Sequence, residues 1–189
     1  ELYRHHMVEE WEKELSKEEG TEEKIENLGH AYKRLGDSYF EEGGKENKEK
    51  ACEMYEKSLE IAKELVKANN TSENLEKLSH AYTNLGNSYQ ERGEKENQTK
   101  ACEMYRCALK VAKEQKEQKS LEELSYIYER LGDNYRKESR EKACEMYEKS
   151  LMLIKEWVKK DRTTLSVGFL EVVFYKLLRL PIPEMGFAP

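Results

Sequence analysis

The side chains best suited to metal binding or covalent chemistry in this 189-residue chain are four cysteines and four histidines. Cys52, Cys102 and Cys144 each stand second in the same five-residue run, A-C-E-M-Y, and Cys107 stands alone. A structural zinc site needs closely spaced ligands, such as two cysteines separated by two residues, and the sequence has no such pair. We therefore interpret the cysteines as small buried residues and expect no metal site.

The histidines do not indicate an enzyme. His30 and His80 are both followed by Ala-Tyr, so each is the counterpart of the other in a repeated pattern. The chain has no glycine-rich phosphate loop, no H-E-x-x-H motif and no recognisable Ser-His-Asp arrangement. We predict a protein without catalytic residues or cofactors, in which these two histidines contact a ligand.

A repeated pattern spans most of the chain. Its first part is Y-x-x-L-G-x-x-Y, which ends at Tyr39, Tyr89 and Tyr135, and its second part is A-C-E-M-Y, which begins at Ala51, Ala101 and Ala143. Repeats of this length are typical of arrays in which each unit buries its apolar face against its neighbours. Such proteins bind partners more often than they catalyse reactions.

Each repeat predicts two helices. From Leu75 to Tyr89, and again from Ala101 to Ala112, apolar or aromatic residues recur every third or fourth position, which puts them on one helix face. Gly93 and the polar residues after it indicate an exposed connection between the two. We expect Gly86 and Ala101, the smallest side chains, to mark the closest approach of these helices.

We predict an all-α fold with about eight helices in a single domain over residues 1–189. The expected helices cover about 2–17, 22–42, 47–68, 72–92, 97–118, 120–138, 140–160 and 164–180. The expected units are a partial leading unit (1–20), three full repeats (21–70, 71–119 and 120–162), and a degenerate terminal helix with its tail (163–189). Thr21, Ser72 and Ser120 are predicted N-caps, Ser120 with Glu123 as a capping box, and Asn69 with Asn70 is a predicted helix end.

The pattern Y-x-x-L-G-x-x-Y followed by A-x-x-x-Y resembles the tetratricopeptide repeat. Six positions agree in all three repeats, and the resemblance covers nearly the whole chain. Each repeat is about a dozen or more residues longer than the family's 34, as in a long-repeat bacterial type. The resemblance implies a right-handed superhelical solenoid of antiparallel helix pairs. It also implies a scaffold or adaptor that binds a peptide or helix of a partner protein in a concave groove lined by the first helix of each repeat.

The candidate peptide-binding residues lie on these first helices, outside the packing stripe. They are His30, Lys33, Asp37, His80, Asn84, Asn87, Tyr126, Arg130 and Asp133. Asp37, Asn87 and Asp133 directly follow the Leu-Gly pairs, where they would hydrogen-bond an extended peptide backbone. The alternative is that these three are merely exposed helix residues.

One subfamily of these repeats clamps the C-terminal carboxylate of heat-shock chaperones. By position in the repeat, Lys33, Asn84 and Arg130 match three members of that clamp, while Asp37 and Tyr126 replace an Asn and a Lys. An Asp at this position repels a carboxylate. We therefore do not expect a chaperone tail as ligand, although the Lys and Arg remain suited to an acidic side chain.

The charge pattern argues against nucleic acid as a partner. The net charge is −6, and Lys and Glu alternate along the chain instead of forming a basic stripe. Residues 1–19 are charged throughout and do not form a signal peptide. We expect a cytoplasmic protein, or a fragment that lacks its targeting segment, and the cysteine usage fits a reducing compartment.

The last predicted helix, 164–180, is far more apolar than its counterparts. Three explanations compete: it packs on the third repeat, it pairs two chains in a homodimer, or the chain ends before a helix that covers it. We favour packing on the third repeat, and the homodimer through 164–180 is our alternative function. We expect no membrane span, because the apolar run is short and contains Glu171, Lys176 and Arg179.

Overall fold

The computed structural model describes residues 2–15, 21–114, 120–136 and 138–180. These residues form eight α-helices and no strand, which confirms the predicted all-α fold. Every helix lies within a few residues of its predicted range. The helices are α1 (Leu2–Leu15), α2 (Glu22–Glu42), α3 (Lys45–Ala68), α4 (Ser72–Arg92), α5 (Lys95–Glu114), α6 (Ser120–Tyr135), α7 (Arg140–Lys160) and α8 (Thr164–Leu178).

Helix α2 begins at the predicted cap, because the side chain of Thr21 accepts a hydrogen bond from the third backbone N–H of the helix. Helix α4 is different. Its cap is Thr71, whose Oγ1 lies 3.1 Å from the backbone nitrogen of Asn74, so the prediction of Ser72 was wrong by one residue. Thr71 has the extended backbone that a cap requires, whereas Ser72 is already helical.

The end of α3 confirms a second prediction. Asn69 stands just past the helix, and its backbone N–H donates to the carbonyl oxygen of Leu65 at 2.8 Å. Gly93, with φ of 75°, ends α4 in the left-handed conformation that glycine adopts without strain. The proposed capping box at Ser120 rests on a side chain outside the described residues.

The chain divides into two compact units, an N-terminal unit (Glu1–Lys116) and a C-terminal unit (Glu117–Pro189). In the N-terminal unit α1 packs on α2, α2 on α3, α3 on α4 and α4 on α5. In the C-terminal unit α6 packs on α7 and α7 on α8. The last contact confirms that the apolar terminal helix packs on the third repeat.

One close contact joins the two helices of every repeat. A Cβ added to Gly86 in α4 would lie 2.7 Å from the ring of Tyr105 in α5, a distance that real Cβ atoms do not tolerate. Gly86 therefore lies at a tight contact between the two helices, as predicted, and the group that meets it is the Tyr105 ring. The same contact recurs in the other two repeats. A Cβ added to Gly36 would lie 2.9 Å from the ring of Tyr55, and one added to Gly132 would lie 2.5 Å from the ring of Tyr147.

The lysine before each A-C-E-M-Y run makes a second repeated contact. Lys50 lies over the ring of Tyr39, with its Nζ 5.6 Å from the ring centroid. The same contact joins Lys100 to Tyr89 at 5.8 Å and Lys142 to Tyr135 at 5.5 Å. A cation–π contact made by a solvent-accessible lysine contributes about 0.5–1 kcal/mol.

Candidate functional site

A pocket of about 240 Å³ lies in the N-terminal unit, between α2, α3 and α4. Its apolar lining comes from all three helices, and its polar lining is more exposed to solvent. The apolar lining residues are Gly29, Ile61, Ala62, Leu65 and Ala81. The polar lining residues are Glu26, His30, Lys33, Arg34, Ser58, Lys77, His80 and Asn84.

Helix α3 forms one wall of this pocket because Ser58, Ile61 and Leu65 follow one another at three- and four-residue spacing. Ser58 Oγ donates a hydrogen bond to the carbonyl oxygen of Gly29 at 3.1 Å, which holds α3 against α2. A Cβ at Gly29 would lie 2.8 Å from Cγ2 of Ile61, so the absence of a side chain lets the two helices meet there.

More cations than carboxylates line the pocket. Three cations, Lys33, Arg34 and Lys77, border it together with two histidines, whereas Glu26 is its single carboxylate. Lys77 Nζ lies 2.7 Å from Oε1 of Glu26, and this hydrogen bond lowers the pKa of Glu26. Glu26 is therefore ionised and neutralises Lys77. Lys33 is paired with Asp37 at 2.7 Å, which leaves Arg34 as the lining cation that has no carboxylate partner among the described residues.

Lys77 is held by two carboxylates. Besides Glu26, its Nζ lies 2.9 Å from Oε1 of Glu73. Burial alone would lower the pKa of Lys77, but the two hydrogen bonds outweigh that effect and raise the pKa. Lys77 is thus occupied, whereas the side chains of Arg34 and Asn84 make no hydrogen bond or ion pair within the described part of the chain.

Four of the predicted peptide-binding residues line this pocket: His30, Lys33, His80 and Asn84. Sequence reasoning missed its remaining members. Glu26 and Lys77 are 51 residues apart, about one repeat, and lie at similar positions on two successive first helices. Their opposite charges were the feature of the sequence that could have predicted this ion pair. The wall formed by α3 was missed because only the first helix of each repeat was considered.

Asp37, Asn87 and Asp133 have a role that neither sequence-based interpretation anticipated. Each accepts a hydrogen bond from the hydroxyl of the tyrosine that packs on the preceding glycine. The distances are 2.9 Å from Tyr55 to Asp37, 2.7 Å from Tyr105 to Asn87 and 2.7 Å from Tyr147 to Asp133. These three residues therefore help to join the two helices of a repeat. A peptide could contact only the part of each side chain that is still exposed to solvent.

Tyr126, Arg130 and Asp133 lie in the C-terminal unit, and they are engaged there. The rings of Tyr126 and Phe169 of α8 stack with centroids 6.3 Å apart, and the guanidinium of Arg130 lies 5.4 Å from the Tyr126 centroid. Lys176 of α8 donates to Asp133 Oδ2 at 2.6 Å. Helix α8 thus provides the partners of two predicted ligand contacts.

Glu129 is a first-helix residue of the third repeat outside the packing stripe, which made it a candidate groove contact, but the structure buries it beside Asp133, with only 3% of it exposed. Lys176 donates to one of its oxygens, and the other, Oε2, is buried without a hydrogen bond among the described residues. Burial and the charge of Asp133 raise the pKa of Glu129. Burial alone would also raise the pKa of Asp133, but hydrogen bonds from Lys176 and Tyr147 lower it.

No helix in the described ranges is both long and apolar enough to cross a membrane. Over the same ranges, no three His, Cys, Asp or Glu side chains gather as metal ligands would. Within the described residues none of the four cysteines forms a disulfide, and two of them are buried and two half-buried.

No protein-family model matches the sequence, and no curated protein matches it. Among solved structures, BtubC (BKLC) from P. vanneervenii is similar, with a TM-score of 0.65 and 21% identity over 94% of this chain. The match covers 65% of BtubC, less than two thirds of its length. This chain is an all-α helical-repeat protein. At such identity the likeness concerns the fold alone.

Two designed proteins are similar to a lesser degree. The de novo designed helical repeat protein DHR64 has a TM-score of 0.46 and 18% identity, over 94% of this chain and 79% of that one. The DHF79 filament protein has a TM-score of 0.41 and 17% identity, over 92% and 97% of the two chains.

Proposed function

We propose that this protein is a tetratricopeptide-like scaffold or adaptor that binds an acidic peptide or helix of a partner protein at the pocket between α2, α3 and α4. The observation that carries the proposal is the convergence of His30, Lys33, His80 and Asn84 on one apolar-walled pocket. These residues come from two repeats, so the packing of the repeats creates the pocket. We extend the proposal to a cytoplasmic location, because the cysteine usage of the sequence suits a reducing compartment.

The size of the pocket favours a peptide side chain over a free small molecule. Pockets that hold drug-sized molecules or cofactors measure roughly 300–1,000 Å³. At about 240 Å³ this pocket is smaller, and it suits one or two side chains of a longer ligand. The remainder of such a ligand would lie along the exposed polar residues around the pocket.

The charge of the pocket favours an acidic ligand. The chain as a whole carries a net charge of −6, yet Lys33 and Arg34 border this pocket and its single carboxylate is already paired with Lys77. An acidic side chain would gain hydrogen bonds from Arg34 and Asn84, which have none within the described residues. It would also attract Lys33, which is bonded to Asp37 at 2.7 Å.

The proposal is tested with peptides selected from a random phage-displayed library on the full chain and then synthesised with a fluorescent label. Binding is measured by fluorescence anisotropy to the wild type, Lys33→Glu and Arg34→Glu. We expect enrichment of acidic peptides and a Kd raised about ten-fold or more by either change, which corresponds to about 1.4 kcal/mol.

Lys110→Glu is the matched control, because Lys110 is exposed on α5 of the same unit and does not line the pocket. This variant should bind the selected peptides as the wild type does, and circular dichroism should show equal helicity in all four proteins. Selected peptides without acidic residues, or equal affinity for all four proteins, would show the proposal to be wrong.

A further inference from the structure

We propose that the outer face of α8 binds a second copy of this chain, with the two α8 helices packed antiparallel. The outer face is defined by five exposed apolar residues: Leu165, Val172, Phe174, Tyr175 and Leu178, which are between 48% and 67% exposed. This inference concerns the C-terminal unit and is independent of the pocket in the N-terminal unit.

The exposure of these side chains does not arise from a loosely attached helix. On its other face, α8 buries Ser166 and Val173 completely. Lys176 binds Glu129 and Asp133 of α6. The start of the helix is fixed by a capping box between Thr163 and Ser166. Helix α8 is thus anchored by one face while its outer face remains apolar and open.

The outer face is exceptional in this chain. Among the described residues, six large hydrophobic side chains are exposed, and five of the six belong to the outer face. Helices that are apolar on all sides are normally buried on all sides. Exposed apolar clusters of this kind mark interaction surfaces.

A further helix of the repeat type cannot cover this face. In register with the three repeats, Leu177 and Leu178 stand where the others have Leu-Gly, so Leu178 replaces the glycine. At Gly36, Gly86 and Gly132 even a Cβ would lie within 2.9 Å of the tyrosine from the second helix. A leucine there excludes that tyrosine, so α8 needs a partner that packs differently.

Gly168 shows where such a partner approaches. It lies in the middle of α8, one turn from Leu165 and one turn from Val172, on the same side of the helix. A glycine inside a helix costs about 1 kcal/mol relative to alanine. Among the described residues no atom lies within 4 Å of a Cβ built there, so packing within that part of the chain does not explain this glycine. A backbone that approaches closely from outside does explain it.

The charges on this side of α8 favour a second copy of the chain as the partner, with its α8 helix running antiparallel. Glu171 and Arg179 are eight residues apart, about 12 Å along the helix. Arg179 lies over its own Tyr175 ring at 4.5 Å, and Glu171 has no ion pair within the described residues. Antiparallel pairing about Tyr175 places each Glu171 beside the other copy's arginine, twice by symmetry. Parallel pairing would place like charges together.

The decisive experiment is sedimentation equilibrium of the full chain over a wide concentration range. We expect a reversible dimer for the wild type and a monomer for Val172→Glu, since the change puts two buried carboxylates into the interface. Met152→Glu is the matched control, because Met152 is 72% exposed on α7 and lies outside the outer face. It should dimerise as the wild type does. A wild type that is monomeric throughout, or a Val172→Glu variant that dimerises unchanged, would overturn the proposal.

Charge reversal tests the antiparallel arrangement and separates it from effects on folding. Glu171→Lys should raise the dimer Kd about ten-fold or more. Glu171→Lys combined with Arg179→Glu should restore the wild-type Kd, because each charge again faces its opposite. Failure of the double variant to restore dimerisation would rule out this pairing. Peptide binding by the N-terminal unit should be the same in all of these variants.

Discussion

The pocket of the N-terminal unit and the covered surface of α6 in the C-terminal unit occupy the same place in the repeat. His30 and Lys77 border the open pocket, and in repeat register their counterparts are Tyr126 and Phe169. In the C-terminal unit these two rings stack on each other. One repeat architecture therefore yields an open pocket where the side chains are basic and a filled one where they are aromatic.

A second pair of positions also lines the open pocket in the N-terminal unit and is joined by a bond in the C-terminal unit. Lys33 and Asn84 line the open pocket, and their counterparts are Glu129 and Lys176, which bond to each other. The glycine and tyrosine contacts between paired helices are the same in both units. Packing residues thus set the fold, and a few side chains on its surface decide whether a groove can receive a ligand.

The largest effect is expected from Lys176→Met. The change leaves the buried carboxylate of Glu129 without the cation that bonds to it, while Asp133 keeps Arg130 at 3.3 Å. Loss of one partner of a buried ion pair costs about 3–5 kcal/mol. Chemical denaturation monitored by circular dichroism would measure this loss. Asn84→Met, the same change at the counterpart position, should alter the free energy of unfolding by less than about 0.5 kcal/mol.

A compensating variant sharpens this test. Glu129→Met combined with Lys176→Met removes both charges, so most of the lost stability should return. If Lys176→Met is as harmless as Asn84→Met, the ion pair does not distinguish the two units.

A smaller and equal effect is expected in both units from Tyr55→Phe and Tyr147→Phe. Each change removes a hydrogen bond to the residue after the glycine, Asp37 or Asp133, and leaves the ring in place. We expect each to lower the free energy of unfolding by about 1 kcal/mol. Loss in one unit alone would mean that this contact does not have the same role in both.

The smallest effect at neutral pH concerns the ionisation of the same tyrosines. Burial and the neighbouring carboxylates raise the pKa of Tyr55 and of Tyr147. The raised pKa of these two tyrosines therefore stabilises the folded state fully below the ordinary tyrosine pKa of about 10. This stabilisation is lost progressively as the pH rises above about 10 towards the raised pKa of the folded state. Thermal unfolding followed between neutral pH and pH 11 should show a steeper decline for the wild type than for the double Tyr→Phe variant.

The sequence predicted the helices well because packing positions repeat. Tyr32, Tyr82 and Tyr128 stand at the same place on a helical stripe, so any one repeat supports the assignment of the other two. The ends of the helices were harder to predict, since Thr71 and Ser72 are both residue types that cap helices well, and the backbone conformation decides between them. Groove residues repeat less regularly, since the histidine of the first two repeats, His30 and His80, is Tyr126 in the third, so periodicity says less about them.

The site was predicted in part for the same reason. His30, Lys33, His80 and Asn84 were found because they share the exposed side of the first helices. The pairing of Lys176 with Glu129 depends on how α8 crosses α6, which the spacing of 47 residues does not reveal. Polar residues after the Leu-Gly pairs were recognised as a set, but their tyrosine partners lie on another helix.

The most direct test of the account is to fill the open pocket in the way the C-terminal unit fills its own. His30→Tyr combined with Lys77→Phe should place two stacked rings between α2 and α4 while the buried packing residues stay unchanged. Peptides selected on the wild type should then lose binding by about ten-fold or more in fluorescence anisotropy, with helicity and dimer formation preserved. Undiminished binding to this folded variant would contradict the claim that the pocket between α2, α3 and α4 is the binding site.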